Sequence, residues 1–116
     1  MDARNVDRLL EKIFSLADRA TFVGARMAEG MAREVRLDPT VKADIAPLYR
    51  EEALRRAALS ASLGLALCRA VESDATDEPA RARLAWYRGQ FETIDADARR
   101  ALATEFPTSR LELHER

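Results

Sequence analysis

The chain is poor in the residues on which most small catalytic and metal sites depend. It has one cysteine, one histidine and four glycines. A lone cysteine excludes an internal disulfide and suits a reducing compartment. The single His114 cannot supply the two Glu-x-x-His pairs of a di-iron bundle, and the scattered glycines form no phosphate-binding loop. We therefore expect no catalytic residues, no metal site and no cofactor.

Residues that favour β-strands are also scarce. Val, Ile, Thr and Tyr are few. Lysine is scarce as well, since Lys12 and Lys42 are the only two in the sequence. Alanine, leucine, arginine and glutamate dominate, and all four are good helix formers. The 116 residues correspond to one domain. This composition predicts an all-α protein.

The charge distribution lacks the features of nucleic-acid or membrane binding. The net charge is −1, and no segment is strongly basic, so the usual electrostatic footprint of a nucleic-acid partner is missing. The N-terminus has no apolar run like that of a secretory signal. The charge-free stretch 57–68 is shorter than the roughly 20 residues that span a bilayer. We expect a cytoplasmic protein with neither nucleic acid nor membrane as a partner.

Hydrophobic periodicity and capping residues predict three long antiparallel helices and one short helix. Asp38 and Pro39 break the chain after the first helix, and Pro47 forces a restart because its ring clashes with the carbonyl one turn back. Thr76 or Asp77 caps the last helix, with Pro79 in its first turn. The first predicted helix begins at Asp2 or Asn5 and ends at residue 36. The short helix spans 39–44, and the other two long helices span 47–72 and 77–105. We expect one helical-bundle domain, 1–107, and a polar, flexible tail, 108–116.

Apolar residues recur at steps of three and four in the first and last helices. In the last helix they form one stripe: Ala80, Leu84, Tyr87, Phe91, Ile94, Ala98 and Leu102. The first helix has two adjacent rows: Val6, Leu9, Ile13, Leu16, Ala20, Val23, Met27 and Gly30, and beside them Leu10, Phe14, Ala17, Thr21, Gly24, Ala28 and Met31. Such a wide apolar face indicates contact with two neighbouring helices.

The second long helix is apolar on two sides in its charge-free middle. One side carries Leu59, Leu63, Ala66, Leu67 and Ala70. The opposite side carries Ala57, Ala61, Gly64, Leu65 and Cys68. Two such faces exceed what the other helices of one chain can cover, so we predict a homodimer or higher oligomer. We assign its interface to the second set, in which Cys68 is a buried, inert thiol.

Trp86 stands off the apolar stripe of the last helix, beside Arg83 and Gln90. Tryptophan and arginine are enriched at the centres of protein interfaces. This position is therefore either a contact with a third helix or an exposed anchor for an unknown protein partner. We note Trp86, Arg83 and Gln90 as possible partner contacts.

The segment DRATFVGARMAE, residues 18–29, resembles the arginine-bearing first helix of the all-α chorismate mutases. That resemblance implies an intertwined helical dimer that isomerises chorismate through clamping by charged and amide side chains. Arg19 corresponds to the family's first arginine. Gly30 stands where the family has a lysine, and the later arginine and glutamine have no counterpart that we can place.

The segment EEALRRAALSASLGLALCRAV, residues 51–71, is similar to the central helix of the regulators of CtrA degradation. That resemblance implies a small dimeric helical bundle acting as an adaptor for a protease. A glutamate near the start, an arginine three residues later and the closing Arg-Ala-Val carry the likeness. The lengths differ by two residues, and the flanking regions do not follow the family.

Together these observations favour a non-enzymatic regulator or adaptor that acts through protein–protein contacts. One alternative is an enzyme of the chorismate mutase kind, which would need Arg19, Arg55 or Arg69 in a shared polar cavity. Another is a structural subunit of a larger assembly, which an exposed apolar patch around Trp86 would favour.

Overall fold

A computed structural model describes the backbone of residues 1–33 and 39–107, and the side chains of residues 1–20 and 47–107. Within these ranges the chain is helical and has no strand, which confirms the all-α prediction. The helices are α1 (Ala3–Arg33), α2 (Pro39–Ala70) and α3 (Glu78–Glu105), with a 3-10 turn at Glu72–Asp74 between the last two. The predicted tail, 108–116, and the predicted end of the first helix at residue 36 lie outside the described residues.

The three helices run up, down and up, and each contacts the other two. The ammonium group of Met1 donates to the carbonyl oxygen of Asp74 over 2.8 Å, which places the start of α1 beside the end of α2. Arg50, in the first half of α2, pairs with Glu105 at the end of α3 over 2.9 Å. These two contacts show that α2 is antiparallel to both neighbours, as a helical bundle requires.

Side-chain caps begin α1 and α3 where the sequence predicts. The carboxylate of Asp2 accepts from the backbone N–H of Asn5 over 2.8 Å. Asp77 accepts from the N–H of Ala80, also over 2.8 Å, and Pro79 lies in the first turn of α3. Each cap satisfies a donor that has no partner within the helix.

The predicted short helix at 39–44 and the restart at Pro47 are wrong, because α2 continues through Pro47. An internal proline costs a helix about 3 kcal/mol. The ring of Pro47 is exposed. The extended contact of α2 with α1 outweighs this local preference, as tertiary packing often does.

Two groups of buried side chains form the core. One, near the start of α1, contains the largest buried residues, Tyr87, Phe91 and Leu10. The other, near the end of α3, is built of leucine and alanine. The stripe predicted for α3 is confirmed, with Ile94 half-buried and its other members buried. The two rows predicted for α1 hold only in part, because Leu16 is 56% exposed. The members of both rows that follow Ala20 lie outside the described side chains.

The bundle is elongated for its length. The Cα radius of gyration is 17.0 Å, whereas a compact domain of this size has about 13 Å. The accessible surface is 7691 Å², against about 6300 Å² for a typical folded monomer of this mass. Three long helices therefore enclose a thin core and leave much helix surface exposed.

Candidate protein-interaction surfaces

Trp86 lies in a group of aromatic rings between α1 and α3. Its ring meets Phe14 of α1 edge-on, with centroids 5.3 Å apart, and Tyr87 with centroids 5.0 Å apart. Phe14 also meets the buried Tyr87 and Phe91. Edge-to-face pairs of this kind are favourable beyond their burial. Trp86 nevertheless stays 41% exposed, so its ring is fixed from within and open on one side.

An ion pair joins α1 to α3 beside this group. The guanidinium Nε of Arg83 donates to Oδ1 of Asp7 over 2.5 Å, and the Tyr87 hydroxyl donates to the same oxygen over 3.0 Å. The Arg83 guanidinium also lies 4.7 Å from the centre of the Trp86 ring, within cation–π range. We call Asp7, Phe14, Arg83, Trp86 and Tyr87 the Trp86 cluster.

The electrostatics of the Trp86 cluster favour the ion pair. The hydrogen bond from Arg83 lowers the pKa of the Asp7 carboxyl, and the bond from Tyr87 adds to this. The hydrogen bond to Asp7 raises the pKa of Arg83. Burial, and then the bond to Asp7, raise the pKa of Tyr87. The cluster therefore holds a charged carboxylate, a charged guanidinium and a neutral phenol at neutral pH.

The structure brings together two of the three residues predicted as partner contacts. Arg83 contacts Trp86, whereas Gln90 is half-buried one turn further along α3. Sequence reasoning missed Asp7, and it placed Phe14 in an apolar row without linking it to Trp86. No local signal could have made these links, because both residues are more than 70 positions from their partners.

The face of α2 predicted as the oligomer interface is covered by the chain's own helices. Ala57, Ala61 and Cys68 are fully buried, Gly64 is buried and Leu65 is half-buried. We call Ala57, Ala61, Gly64 and Cys68 the inner face. At Gly64 α2 closely approaches the Phe91 ring of α3, because a Cβ built there would overlap that ring. Within the single chain these four residues face the other helices, and their assignment to a subunit interface stays a prediction.

The thiol of Cys68 belongs to the same group of buried residues as Ala61 and Tyr87. Its burial raises the pKa of the thiol. A protonated, enclosed thiol is a poor nucleophile and a poor metal ligand. This environment is that of the buried, inert cysteine that the sequence predicts.

The opposite side of α2 carries an exposed row of side chains with the spacing of a coiled-coil seam. Successive members alternate strictly between three and four residues apart, and all of them are exposed. We call this row the outer seam; it consists of Tyr49, Glu52, Arg56, Leu59, Leu63, Ala66 and Ala70. Leu59 is 58% and Leu63 53% exposed, among the most exposed large apolar side chains described. The seam extends for about 30 Å along the helix.

The arginines that an enzyme of the chorismate mutase kind would use are not gathered in the core. Arg19 and Arg69 are exposed. Arg55 forms an ion pair with Glu52 of its own helix over 3.5 Å. The polar cavity that this alternative requires is thus not formed by these three side chains.

The described surface also has one small groove with a charged lining. A groove of about 160 Å³ lies between the 3-10 turn and α3, and its charged lining residues Arg88 and Glu72 pair with each other over 3.3 Å. Within residues 1–20 and 47–107, no three His, Cys, Asp or Glu side chains are grouped to hold a metal ion. In the same described part of the chain, no helix is long and apolar enough to cross a bilayer.

Comparison with protein families, with curated proteins and with solved structures gives no match for this chain. The geometry of the two surfaces therefore provides the basis for a functional proposal.

Proposed function

We propose that this protein is a non-enzymatic interaction module, a regulator or adaptor that acts by binding other protein chains. The outer seam is the observation that carries this proposal. Leu59 and Leu63 are more than half exposed in the middle of a charge-free segment. Single exposed leucines are ordinary on protein surfaces. Two of them on one seven-residue repeat, continued by Ala66 and Ala70, form a stripe suited to a partner helix.

The Trp86 cluster supports a second contact surface. Its Trp86 ring contacts Phe14, Tyr87 and Arg83, and yet is 41% exposed. A fixed aromatic ring loses little conformational entropy when a partner covers it. The cluster packs between α1 and α3, whereas the outer seam lies on the solvent side of α2. Two separate surfaces are what an adaptor or a subunit of a larger assembly needs, so the structural-subunit alternative is retained.

The proposal is tested by affinity capture from an extract of the cells that produce the protein. The baits are the wild-type chain, Leu59→Gln/Leu63→Gln for the outer seam, and Trp86→Ala for the Trp86 cluster. Leu16→Gln is the matched control, because Leu16 is equally exposed, at 56%, on a different helix. We expect specific proteins, identified by mass spectrometry, to be lost with one of the first two variants and kept with the control.

Identical captured sets for all four baits would contradict the proposed function, provided that circular dichroism shows every bait to be folded. If untagged copies of the chain itself are captured, they count as one of the specific proteins. A turnover assay with chorismate provides an independent check on the enzyme alternative, and measurable conversion would overturn the non-enzymatic assignment.

A further inference from the structure

The outer seam is apolar only in its C-terminal half. Leu59, Leu63, Ala66 and Ala70 follow two charged members, Glu52 and Arg56, which pair with each other over 3.3 Å. A partner helix must therefore present apolar side chains to one half of the seam and tolerate charge at the other. A second copy of the same seam has this pattern.

We propose that the outer seam binds the outer seam of a second copy of this chain in an antiparallel arrangement. The two-fold axis passes midway between Leu63 and Ala66. Leu63 of each copy then faces Ala66 of the other, and Leu59 faces Ala70. This inference rests on the proposed function and names the partner of the outer seam.

Charge distinguishes the antiparallel arrangement from the parallel one. Parallel, in-register pairing would also join the apolar halves, but it would place Glu52 opposite Glu52 and Arg56 opposite Arg56. Like charges facing each other oppose association. The antiparallel arrangement moves both charged positions beyond the apolar overlap, to the two ends of the interface.

At the ends of the antiparallel pair Arg56 approaches acidic residues of the other copy, while Glu52 comes level with Asp77, where that copy has left α2 for the cap of α3. With the axis between Leu63 and Ala66, Arg56 of one copy comes level with residue 73 of the other. That residue lies in the 3-10 turn, whose Glu72 and Asp74 are acidic and exposed. Arg56 is also exposed, with 72% of its side-chain area open to solvent. The Arg56 side chain can therefore reach the 3-10 turn of the other copy without disturbing the core.

Side-chain volume favours the same arrangement. Each leucine faces an alanine, so every layer of the interface has a similar total volume, and the two helices can approach closely along their length. Parallel pairing would instead give two Leu–Leu layers followed by two Ala–Ala layers, which differ in volume. Because only four positions per copy are apolar, we expect a buried area near 1,000 Å² in total, at the lower end of specific interfaces. Association should therefore depend on concentration.

Sedimentation velocity over a range of concentrations tests the pairing itself. We expect the wild-type chain to form dimers reversibly, and Leu59→Gln/Leu63→Gln to raise the dissociation constant at least about tenfold, since buried anchors dominate small interfaces. Leu16→Gln should dimerise like the wild type. Circular dichroism of each variant shows that the helices are retained.

Label distances test the orientation. The native thiol is removed by Cys68→Ala, and a nitroxide is attached to a single new cysteine made by Glu52→Cys. Antiparallel pairing places the two labels about 40 Å apart, from 1.5 Å of rise per residue, whereas parallel pairing places them about 10 Å apart. Electron paramagnetic resonance separates these distances clearly.

A wild-type chain that remains monomeric at all accessible concentrations would overturn the inference, as would a short label distance. Dimers that persist unchanged in Leu59→Gln/Leu63→Gln would overturn it too. The proposed function fails separately, by the capture experiment above. Captured proteins that depend on Leu59 and Leu63, together with a monomeric chain, would keep the interaction module and reject the homodimer.

Discussion

The inner face and the outer seam of α2 belong to the same charge-free segment, but their surroundings are opposite. The inner face is lined by small residues and is fully covered; Ala57 and Ala61, for example, have no exposed area. The outer seam contains the larger Leu59 and Leu63, which are more than half exposed. The small residues point inward and two of the leucines point outward.

This arrangement follows from the geometry of a thin bundle. Residues of small volume let α2 approach its neighbours closely, and Gly64 accommodates the Phe91 ring. Large side chains on the inner face would force the helices apart and open voids. Burial of the outer leucines is not needed to complete the core. Their exposure therefore costs the single chain little, and it leaves apolar area available for another chain.

The largest expected effect comes from making the same leucine-to-alanine change on the buried side and on the open side of α2. Leu54, facing the second core group, is 6% exposed, whereas Leu59 is 58% exposed. We expect Leu54→Ala to lower the free energy of unfolding by about 2–5 kcal/mol, and Leu59→Ala by less than about 1 kcal/mol. Urea unfolding at a dilution where the chain is monomeric measures both. Equal losses would show that α2 does not have a buried and an open side.

A smaller effect is expected from glycine substitutions that test how tightly the inner face is packed. A Cβ at Gly64 would overlap the Phe91 ring, whereas a Cβ at Gly89 would meet no atom within 4 Å. Gly64→Ala should destabilise the fold by about 1–3 kcal/mol through overpacking. Gly89→Ala, the matched control in α3, should stabilise it by up to about 1 kcal/mol of helix propensity. A neutral or stabilising Gly64→Ala would mean that Phe91 moves aside freely.

The smallest effect concerns the ion pair between α1 and α3, which does not involve α2. The folded-state pKa of Asp7 is lowered from its ordinary value of 3.8. A carboxyl of this kind stabilises the fold above its unfolded pKa and loses that contribution as the pH falls through its folded pKa. We expect Asp7→Asn to unfold at lower urea concentration than wild type at pH 7.

The difference between wild type and Asp7→Asn should shrink below about pH 4 and vanish at lower pH. Asp18→Asn, at an exposed position of the same helix, is the control and should change the urea midpoint little. A gap between wild type and Asp7→Asn that stays constant from pH 7 to pH 2 would show that Asp7 acts through packing and not through its charge.

Local patterns in the sequence predicted much of the fold. The stripe of α3 and the cap at Asp77 are repeated, short-range signals, and the structure has both. Proline misled the prediction at Pro47, because a local steric rule was applied where contact between two long helices decides the outcome. Leu16 was expected in the core from its spacing in the sequence, but it is exposed. Spacing alone does not show how far a neighbouring helix extends.

The candidate surfaces were predicted less well than the fold. Trp86 was recognised as unusual from its position off the stripe, but its partners Asp7 and Phe14 are distant in sequence. The two apolar faces of α2 were both recognised, and the one assigned to a second subunit is the one that the single chain covers. Both faces lack charge, so hydrophobicity could not rank them. The deciding quantity was side-chain volume against Phe91, which only the assembled bundle reveals.

The sequence by itself determined that this protein is helical, where α3 begins, and that the middle of α2 is free of charge and apolar on two sides, because these properties depend on residues within a few turns of each other. Only the tertiary structure decided which side of α2 is covered, how Asp7 meets Arg83, and that Leu59 and Leu63 remain open to solvent. Those outcomes depend on the separation and rotation of whole helices. That geometry is set by the sum of many weak contacts and by no single local pattern.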